Sequence, residues 1–372
     1  MATAPKQSSA KSTLLGASTN LNAFDSLNYY DATLNGNDVS LAAHSAKALS
    51  TSVLKGDTLT ATGANATLVG GGGADKLVAL GTNGVLVPGA GLTTLISGDN
   101  GATVSVASLV GKTFAAQTVS LGGGSDTLAI GNASTIGDTL FAKTTGLDVL
   151  SLGAGGALSL GAASQAASLR KVVVGSGALK VTQLAANTAS LTLVGGASAD
   201  AFTVSTAAQL AGDIISGGAG NDTLAVLGAP SLQDSAFFSV SSVEVLALTG
   251  ASSVTLGSAA VAAGISTVIG DAKSANTFVQ NVASPFTLVG GSKADIFALS
   301  ASALAGDSLK GDKTDTLAIT SGAADDNAFT NAAFAAGAAL SLGSGVAVTL
   351  DASAKTSGFT RVFGSNGGNS VT

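Results

Sequence analysis

Aspartates that follow glycine-rich turns recur along the chain and are the residues best suited to chemistry. The clearest copy is GGAGNDTLAVLG at Gly217–Gly228. A glycine cluster followed by an acid and an apolar run is compatible with a phosphate-binding loop, a metal-binding turn or the corner of a β-structure. Related strings place an aspartate at the same point of the turn, at Asp75, Asp126, Asp200, Asp222, Asp295 and Asp315.

Other known arrangements for binding or catalysis are weaker. His44 is the only histidine and there is no cysteine, which excludes a histidine-based metal triad and a thiolate site. The string SLVGKTF, with Gly111–Thr113, looks like the end of a P-loop, but Val106 stands where that pattern requires its first glycine. A nucleotide-binding loop is therefore not expected.

Adjacent carboxylates are the remaining option for an enzyme. Asp325 and Asp326 could form the general acid and base of a hydrolase. However, Asp326 holds the same place in the repeat as Asp138 and Asp234, 11 or 12 residues past the aspartate of a DTL string. An active site should interrupt a repeat, so we interpret these acids as scaffold and expect no enzymatic activity.

The aspartates belong to a repeat at two scales. Asp126, Asp222 and Asp315 are separated by 96 and 93 residues, and Asp200 and Asp295 by 95, which predicts a unit of about 95 residues. Within one unit, Asp200 and Asp222 are 22 residues apart, and Asp295 and Asp315 are 20 apart. Steps of about 20 residues that return the same side chain are typical of the coils of a solenoid.

Short alternating strings must position these turns. TLAI, FTVS, SVTL and AVTL alternate apolar and small polar residues between Gly, Asn or Asp, which predicts short strands with inward positions at Phe202 and Phe297. A Greek-key sandwich could use such strands, but it gives no reason for one side chain to return at each step. We therefore predict an all-β fold, a parallel β-solenoid (β-helix or β-roll) of about 20-residue coils grouped in super-repeats of about 95 residues. The Ala-rich stretch 162–171 could form a one-turn helix.

Two turns match a known nonapeptide, G-G-x-G-x-D-x-U-x, at every fixed position, namely Gly70–Val78 and Gly217–Ala225. These strings resemble the hemolysin-type calcium-binding repeats of RTX proteins, and the longer unit resembles repeat-rich bacterial surface-layer proteins. The resemblance implies a β-roll in which calcium binds between two turns stacked one coil apart, through carboxylate and carbonyl oxygens. It assigns the calcium ligands to Asp75, Gly71, Gly73, Asp126, Asp200, Gly218, Gly220, Asp222, Asp295 and Asp315.

The other copies depart from the RTX pattern. Lys293 and Lys313 stand where the pattern has a glycine, and they would place a cation where calcium should lie. Without calcium, the turns would depend on Gly and Asp turn chemistry alone. The two paired calcium sites that the resemblance predicts are Asp200 with Asp222 and Asp295 with Asp315.

The composition excludes several classes of protein. The 372 residues include 50 Gly, have a formal net charge of −6 and are 46% hydrophobic, which is too apolar for a disordered chain. The basic residues are scattered and not clustered with aromatics, so we expect no nucleic-acid partner. No run approaches the roughly 18 apolar residues of a membrane helix, so the chain is not expected to span a membrane.

The predicted organisation is an atypical N-terminal segment followed by the solenoid. Residues 1–50 lack the apolar stretch of a Sec-type signal peptide and hold the only tyrosines, Tyr29 and Tyr30. We predict a tail there with either a capping coil or an assembly arm. Residues 51–372 are predicted to form the solenoid, with three related super-repeats at about 104–195, 196–290 and 291–372.

These observations predict an exported bacterial structural protein. Because a solenoid ends in open strand ladders, we expect a homo-oligomer that joins end to end or side by side in a filament or surface layer. The RTX resemblance implies an extracellular or cell-surface location, type I secretion and calcium as the cofactor. The alternative is a solenoid adhesin or fibre that binds a glycan or a cell surface, which an exposed aromatic or threonine ladder would favour.

Overall fold

The chain divides into two compact units in the computed structural model, Met1–Gly175 and Ser176–Thr372. The predicted N-terminal tail lies largely outside the described residues, as do His44 and Gly111–Thr113. The structure describes Ser18–Asn20, Asp38–Leu41, Lys47–Leu49 and residues 56–91, 93–107, 117–132, 135–228, 230–250 and 252–372.

The first unit consists mainly of short strands. Strands such as Lys76–Ala79 and Ala102–Val106 alternate buried and more exposed residues and therefore bury one face. A 3-10 helix, Asp138–Phe141, and helix α1 (Ala162–Ala166) follow the later strands. The strands are β1 (Ser18–Asn20), β2 (Asp38–Leu41), β3 (Lys47–Leu49), β4 (Thr58–Ala61), β5 (Thr67–Val69), β6 (Lys76–Ala79), β7 (Gly84–Val87), β8 (Thr94–Ser97), β9 (Ala102–Val106), β10 (Thr118–Ser120), β11 (Thr127–Ile130), β12 (Thr135–Ile136), β13 (Thr144–Thr145) and β14 (Val149–Leu160).

Parallel pairing stacks these strands into two ladders. One ladder runs β1, β2, β4, β6, β8, β10, β13, and the other runs β3, β5, β7, β9, β11, β14. Leu59 lies opposite Leu77, and Leu77 opposite Leu95. All three side chains are completely buried, so like residues stack on like residues in the core.

The second unit repeats this construction. β15 (Lys171–Gln183) contains the boundary between the units. Helices α2 (Ala207–Gly212), α3 (Ser258–Ala262), α4 (Ala301–Leu304) and α5 (Ala352–Thr356) and 3-10 helices Asp234–Phe237 and Asp326–Phe329 lie between strands. The strands are β16 (Thr192–Val194), β17 (Ala201–Val204), β18 (Ile214–Ser216), β19 (Thr223–Leu227), β20 (Ser231–Leu232), β21 (Val240–Ser241), β22 (Val245–Thr249), β23 (Ser253–Leu256), β24 (Thr267–Ile269), β25 (Thr277–Gln280), β26 (Thr287–Val289), β27 (Ile296–Leu299), β28 (Ser308–Gly311), β29 (Thr316–Ile319), β30 (Ala323–Ala324), β31 (Ala332–Phe334), β32 (Ala338–Leu342), β33 (Ala347–Val348), β34 (Phe359–Phe363) and β35 (Ser370–Val371).

Its strands also form parallel ladders around an apolar core. One series runs β17, β19, β22, β24, β26, β28, β31, and two others run β20, β23, β25, β27, β29, β32, β34 and β30, β33, β35. Phe202 and Phe297 are completely buried, as predicted. The rings of Phe278 and Phe297, which lie opposite each other on β25 and β27, stack with centroids 5.0 Å apart.

Each unit is therefore a parallel β-solenoid, which confirms the predicted fold class. Equivalent residues of neighbouring coils lie between 18 and 24 residues apart at the turns that carry the aspartates. The Ala-rich stretch at 162–171 begins with helix α1, as its composition indicated.

Candidate functional site

The six predicted aspartates share one position, directly before a strand; we call this the pre-strand position. The strands that follow them are β6, β11, β17, β19, β27 and β29. All six residues are buried, with no more than 2% of their surface exposed. The turn that precedes each aspartate therefore directs the carboxyl group into the protein and not toward solvent.

In the second unit these carboxylates connect one coil to the next. Asp200 Oδ1 accepts the backbone N–H of Leu179 at 2.6 Å. Asp222 Oδ1 accepts the N–H of Asp200 at 2.6 Å, and Glu244 Oε2 accepts the N–H of Asp222 at 2.8 Å. Each oxygen thus bonds to the residue of the same register one coil earlier. We call such a series a side-chain ladder.

A second side-chain ladder in this unit begins at an asparagine. Asp295 Oδ1 accepts the backbone N–H of Asn276 at 2.6 Å and its side-chain amide at 2.9 Å. Asp315 Oδ1 accepts the N–H of Asp295 at 2.8 Å. The two pairs predicted from sequence, Asp200 with Asp222 and Asp295 with Asp315, are therefore neighbours in the structure.

The first unit contains the same arrangement. Asp75 Oδ1 accepts the backbone N–H of Asp57 at 3.0 Å. Asp126 Oδ1 accepts the N–H of Ala102 at 2.6 Å, and Asp148 Oδ2 accepts the N–H of Asp126 at 2.9 Å. In both units, backbone N–H groups of one coil therefore donate to side-chain oxygens of the next coil.

Glycines allow the turns to stack closely. Gly218 and Gly220 have φ values of +102° and +129°, which L side chains rarely adopt. A Cβ at Gly218 would lie 2.2 Å from the carbonyl oxygen of Gly196 in the preceding coil. Only glycine fits at this point, so the nonapeptide pattern reflects coil-to-coil packing as well as turn conformation.

Calcium requires six to eight oxygen ligands with lone pairs directed at the ion. Both oxygens of Asp75 already accept backbone N–H groups, from Asp57 at 3.0 Å and Gly71 at 2.6 Å. The carbonyl of Gly71, another predicted ligand, accepts the N–H of Ala90 at 2.9 Å. Asp200 is also doubly bonded, since its Oδ2 accepts the N–H of Gly196 at 2.8 Å.

As folded, the predicted ligands thus do not fit a calcium ion between the turns. Within the residues that the structure describes, no group of three or more His, Cys, Asp or Glu side chains is placed to hold a metal. Burial raises the pKa of the Asp126, Asp222 and Asp315 carboxyls, that of Asp315 to about 6. Calcium binding by these turns stays a prediction, and the assembly proposed below does not depend on it.

A second set of aspartates caps short helices of the following coil. Asp234 accepts backbone N–H groups from Gly257, Ala259 and Ala260 at 2.8, 3.0 and 2.9 Å, at the beginning of α3. These helices would otherwise begin with unsatisfied N–H groups. Asp138 and Asp326 cap α1 and α5 in the same way.

These bonds also set the charge state of the capping carboxylates. The backbone N–H of Ala354, with further N–H donors, lowers the pKa of Asp326 to about 2. Burial acts in the opposite direction on Asp138, yet N–H donors from Ser164, Ala163 and Gly161 lower its pKa overall. Ion–dipole bonding of this kind supports the scaffold interpretation of Asp326, whose oxygens accept three backbone N–H groups at the beginning of α5.

Two buried Asp and Gln pairs were not predicted from sequence. Asp213 Oδ1 accepts the N–H of Leu191 at 2.8 Å, and Asp307 Oδ1 accepts the N–H of Phe286 at 2.9 Å. The other oxygen of each carboxyl is buried without a hydrogen-bond partner, and so is the side-chain oxygen of the accompanying Gln183 or Gln280. Burial raises the pKa of both aspartates to about 6.

A groove of about 540 Å³ lies along α4, β30, β33 and β35. Its lining includes Ser302, Ser321, Asp325, Thr349 and Thr372. The carboxylate of Asp325 accepts the N–H of Ala328 at 3.2 Å and so caps the adjacent 3-10 helix. The groove is therefore small, hydroxyl-rich and lined by one acid whose carboxylate is structurally engaged.

Comparison with known proteins assigns no family. No protein-family model, curated protein or solved structure matches the chain. None of the helices that the structure describes is long and apolar enough to cross a membrane. The RTX likeness therefore rests on the glycine and aspartate strings alone.

Proposed function

We propose that the protein is an extracellular structural protein that assembles with copies of itself into a filament or surface layer. The observation that supports this most directly is the edge formed by β34 and β35. Within the described residues, β34 pairs only with β32, and β35 only with β33. Each strand therefore has one side on which its backbone N–H and C=O groups are open to another strand.

Apolar side chains accompany this edge. Val362, Phe363 and Val371 are 42%, 53% and 51% exposed. An edge strand that is apolar and unpaired is a template for pairing with a second chain, whereas monomeric proteins usually protect such edges with charge or Pro. A partner strand from another copy would continue the parallel ladder and cover these side chains.

The rest of the molecule suits a scaffold. Its coils present short turns, its buried pre-strand acids accept hydrogen bonds between coils, and half-buried acids cap short helices. Within the RTX resemblance, type I secretion would deliver the protein to the cell surface. Calcium is left out of the proposal because the turn carboxylates bind backbone N–H groups.

A double variant, Val362→Lys with Val371→Lys, tests the edge. Both side chains are exposed, so the fold should tolerate the change, while two cations at the edge should prevent strand pairing. We expect the purified parent protein to form large species in light scattering and the variant to remain monomeric with an unchanged circular dichroism spectrum. Equal association of the two proteins would refute the role of this edge.

A solenoid adhesin that binds a glycan or cell surface is the second candidate, and an outward row of hydroxyl side chains favours it. Thr223, Thr267, Thr287 and Ser308 share one register, with Val245 between the first two. All are partly or fully exposed. Binding of the monomeric lysine variant to a glycan array, lost on Thr267→Val with Thr287→Val, would support this candidate over the structural one.

A further inference from the structure

We infer that the Gly-Asp turns join neighbouring coils through side-chain oxygens that accept backbone hydrogen bonds, with no metal ion between the turns. This goes beyond the proposed assembly, since it concerns how each coil is held on the next. It also gives these turns a role different from the calcium binding that the RTX resemblance implies.

The first support is that neutral amides occupy the same position. Asn276 precedes β25 as the aspartates precede their strands, and its Oδ1 accepts the N–H of Asp271 within its own turn at 3.3 Å, as Asp200 Oδ2 accepts that of Gly196. Gln117 precedes β10, and its Oε1 accepts the N–H of Thr93, one coil earlier. An acceptor oxygen is thus what these positions share. Negative charge is not common to these positions.

The second support is that the turns bond to each other directly. The carbonyl of Gly71 accepts the N–H of Ala90 at 2.9 Å, and that of Gly196 accepts the N–H of Ala219 at 2.9 Å. These carbonyl oxygens therefore already accept a hydrogen bond from the next coil. A calcium ion between the turns would have to displace hydrogen bonds that already satisfy buried donors.

Asp222 is the clearest position for a test. Its Oδ1 accepts the N–H of Asp200, whereas its Oδ2 is buried without a partner. Asp222→Asn keeps the accepting oxygen and removes the charge, and Asp222→Ala removes both. Asp200→Asn is the matched control, because both oxygens of Asp200 accept N–H donors and an amide nitrogen would face one of them.

The experiment compares thermal unfolding midpoints of the full chain and the three variants in millimolar calcium and in chelator. We expect no calcium effect on any of them. Asp222→Asn should keep the parent midpoint within about 2 °C, while Asp222→Ala and Asp200→Asn should lower it by about 3–8 °C, as expected for a buried group left without its partner.

Two results would overturn the inference. One is a rise in the parent midpoint with calcium that Asp222→Asn abolishes, because the carboxylate would then be a calcium ligand. The other is a decrease in the unfolding midpoint of Asp222→Asn as large as that of Asp222→Ala, because the negative charge would then be required for stability. If Asp222→Ala does not fold, calorimetric titration of the parent and Asp222→Asn proteins with calcium decides between the same outcomes.

Discussion

The buried Asp and Gln pairs predict a solenoid that is weakened as the pH rises through the weakly acidic range. Asp213 and Asp307 are each 1% exposed, and burial raises their pKa values from 3.8 to about 6. Their unpartnered oxygens accompany the unpartnered oxygens of Gln183 and Gln280. The amide of Gln280 donates to Asp307 Oδ1 at 3.3 Å, so the second carboxyl oxygen stays without a donor. A proton on the carboxyl removes the buried charge and therefore favours the folded chain.

The direction of this pH dependence follows from which state of the chain, folded or unfolded, binds the proton more tightly. A carboxyl with a raised pKa holds its proton more firmly in the folded chain than in the unfolded chain. Its contribution to the free energy of unfolding is therefore complete below about pH 4 and is lost as the pH rises to about 6. At about 1.4 kcal/mol per pKa unit, the loss is between about 1 and 3 kcal/mol for each carboxyl.

The perturbation is Asp213→Asn together with Asp307→Asn. An asparagine keeps the accepting oxygen and removes the buried charge, so the variant should match the parent near pH 4.5 and exceed it at pH 7.5 by about 2 to 6 kcal/mol in total. The assay is urea unfolding followed by circular dichroism at several pH values. Asp351→Asn is the control, because Asp351 is exposed and its side chain makes no capping hydrogen bond to α5. A double variant that is less stable than the parent at pH 7.5, with an unchanged pH dependence, would refute the reasoning.

Two further predictions concern the turns and caps. Asp234→Ala removes the carboxylate that satisfies three N–H groups at the beginning of α3 and should lower the free energy of unfolding by about 2 kcal/mol in urea titration, whereas an unchanged midpoint would show that water replaces it. Gly218→Ala adds a contact of 2.2 Å to an unfavourable φ and should destabilise by about 3 kcal/mol. Gly250→Ala shares a positive φ of +87° with nothing within 4 Å and should cost only about 1 kcal/mol, so equal losses would exclude a steric role for Gly218.

The repeats in the sequence allowed the fold to be predicted. Asp200, Asp222 and Glu244 recur at steps of 22 residues, and the structure places them directly over one another. The alternation in TLAI and FTVS predicted both strands and the inward Phe202. Because like residues stack in a parallel solenoid, the spacing of equivalent residues alone predicts most of the strand pairing.

The roles of individual carboxylates were harder to predict. An aspartate after a glycine turn can face solvent and bind an ion or face inward and bind backbone, and the same string is compatible with both. Asn276 and Gln117 occupy equivalent positions, but their spacing is recognisable only once the strand register is known. Gln183 with Asp213 and Gln280 with Asp307 lie 30 and 27 residues apart, with no common string to connect them.

Electron microscopy of the purified 372-residue chain, in calcium and in chelator, tests the proposed assembly most directly. The account predicts regular filaments or sheets in both conditions, and their loss in the Val362→Lys, Val371→Lys variant while its circular dichroism spectrum stays that of the parent. Persistent monomers of the parent protein at high concentration in both conditions would contradict it.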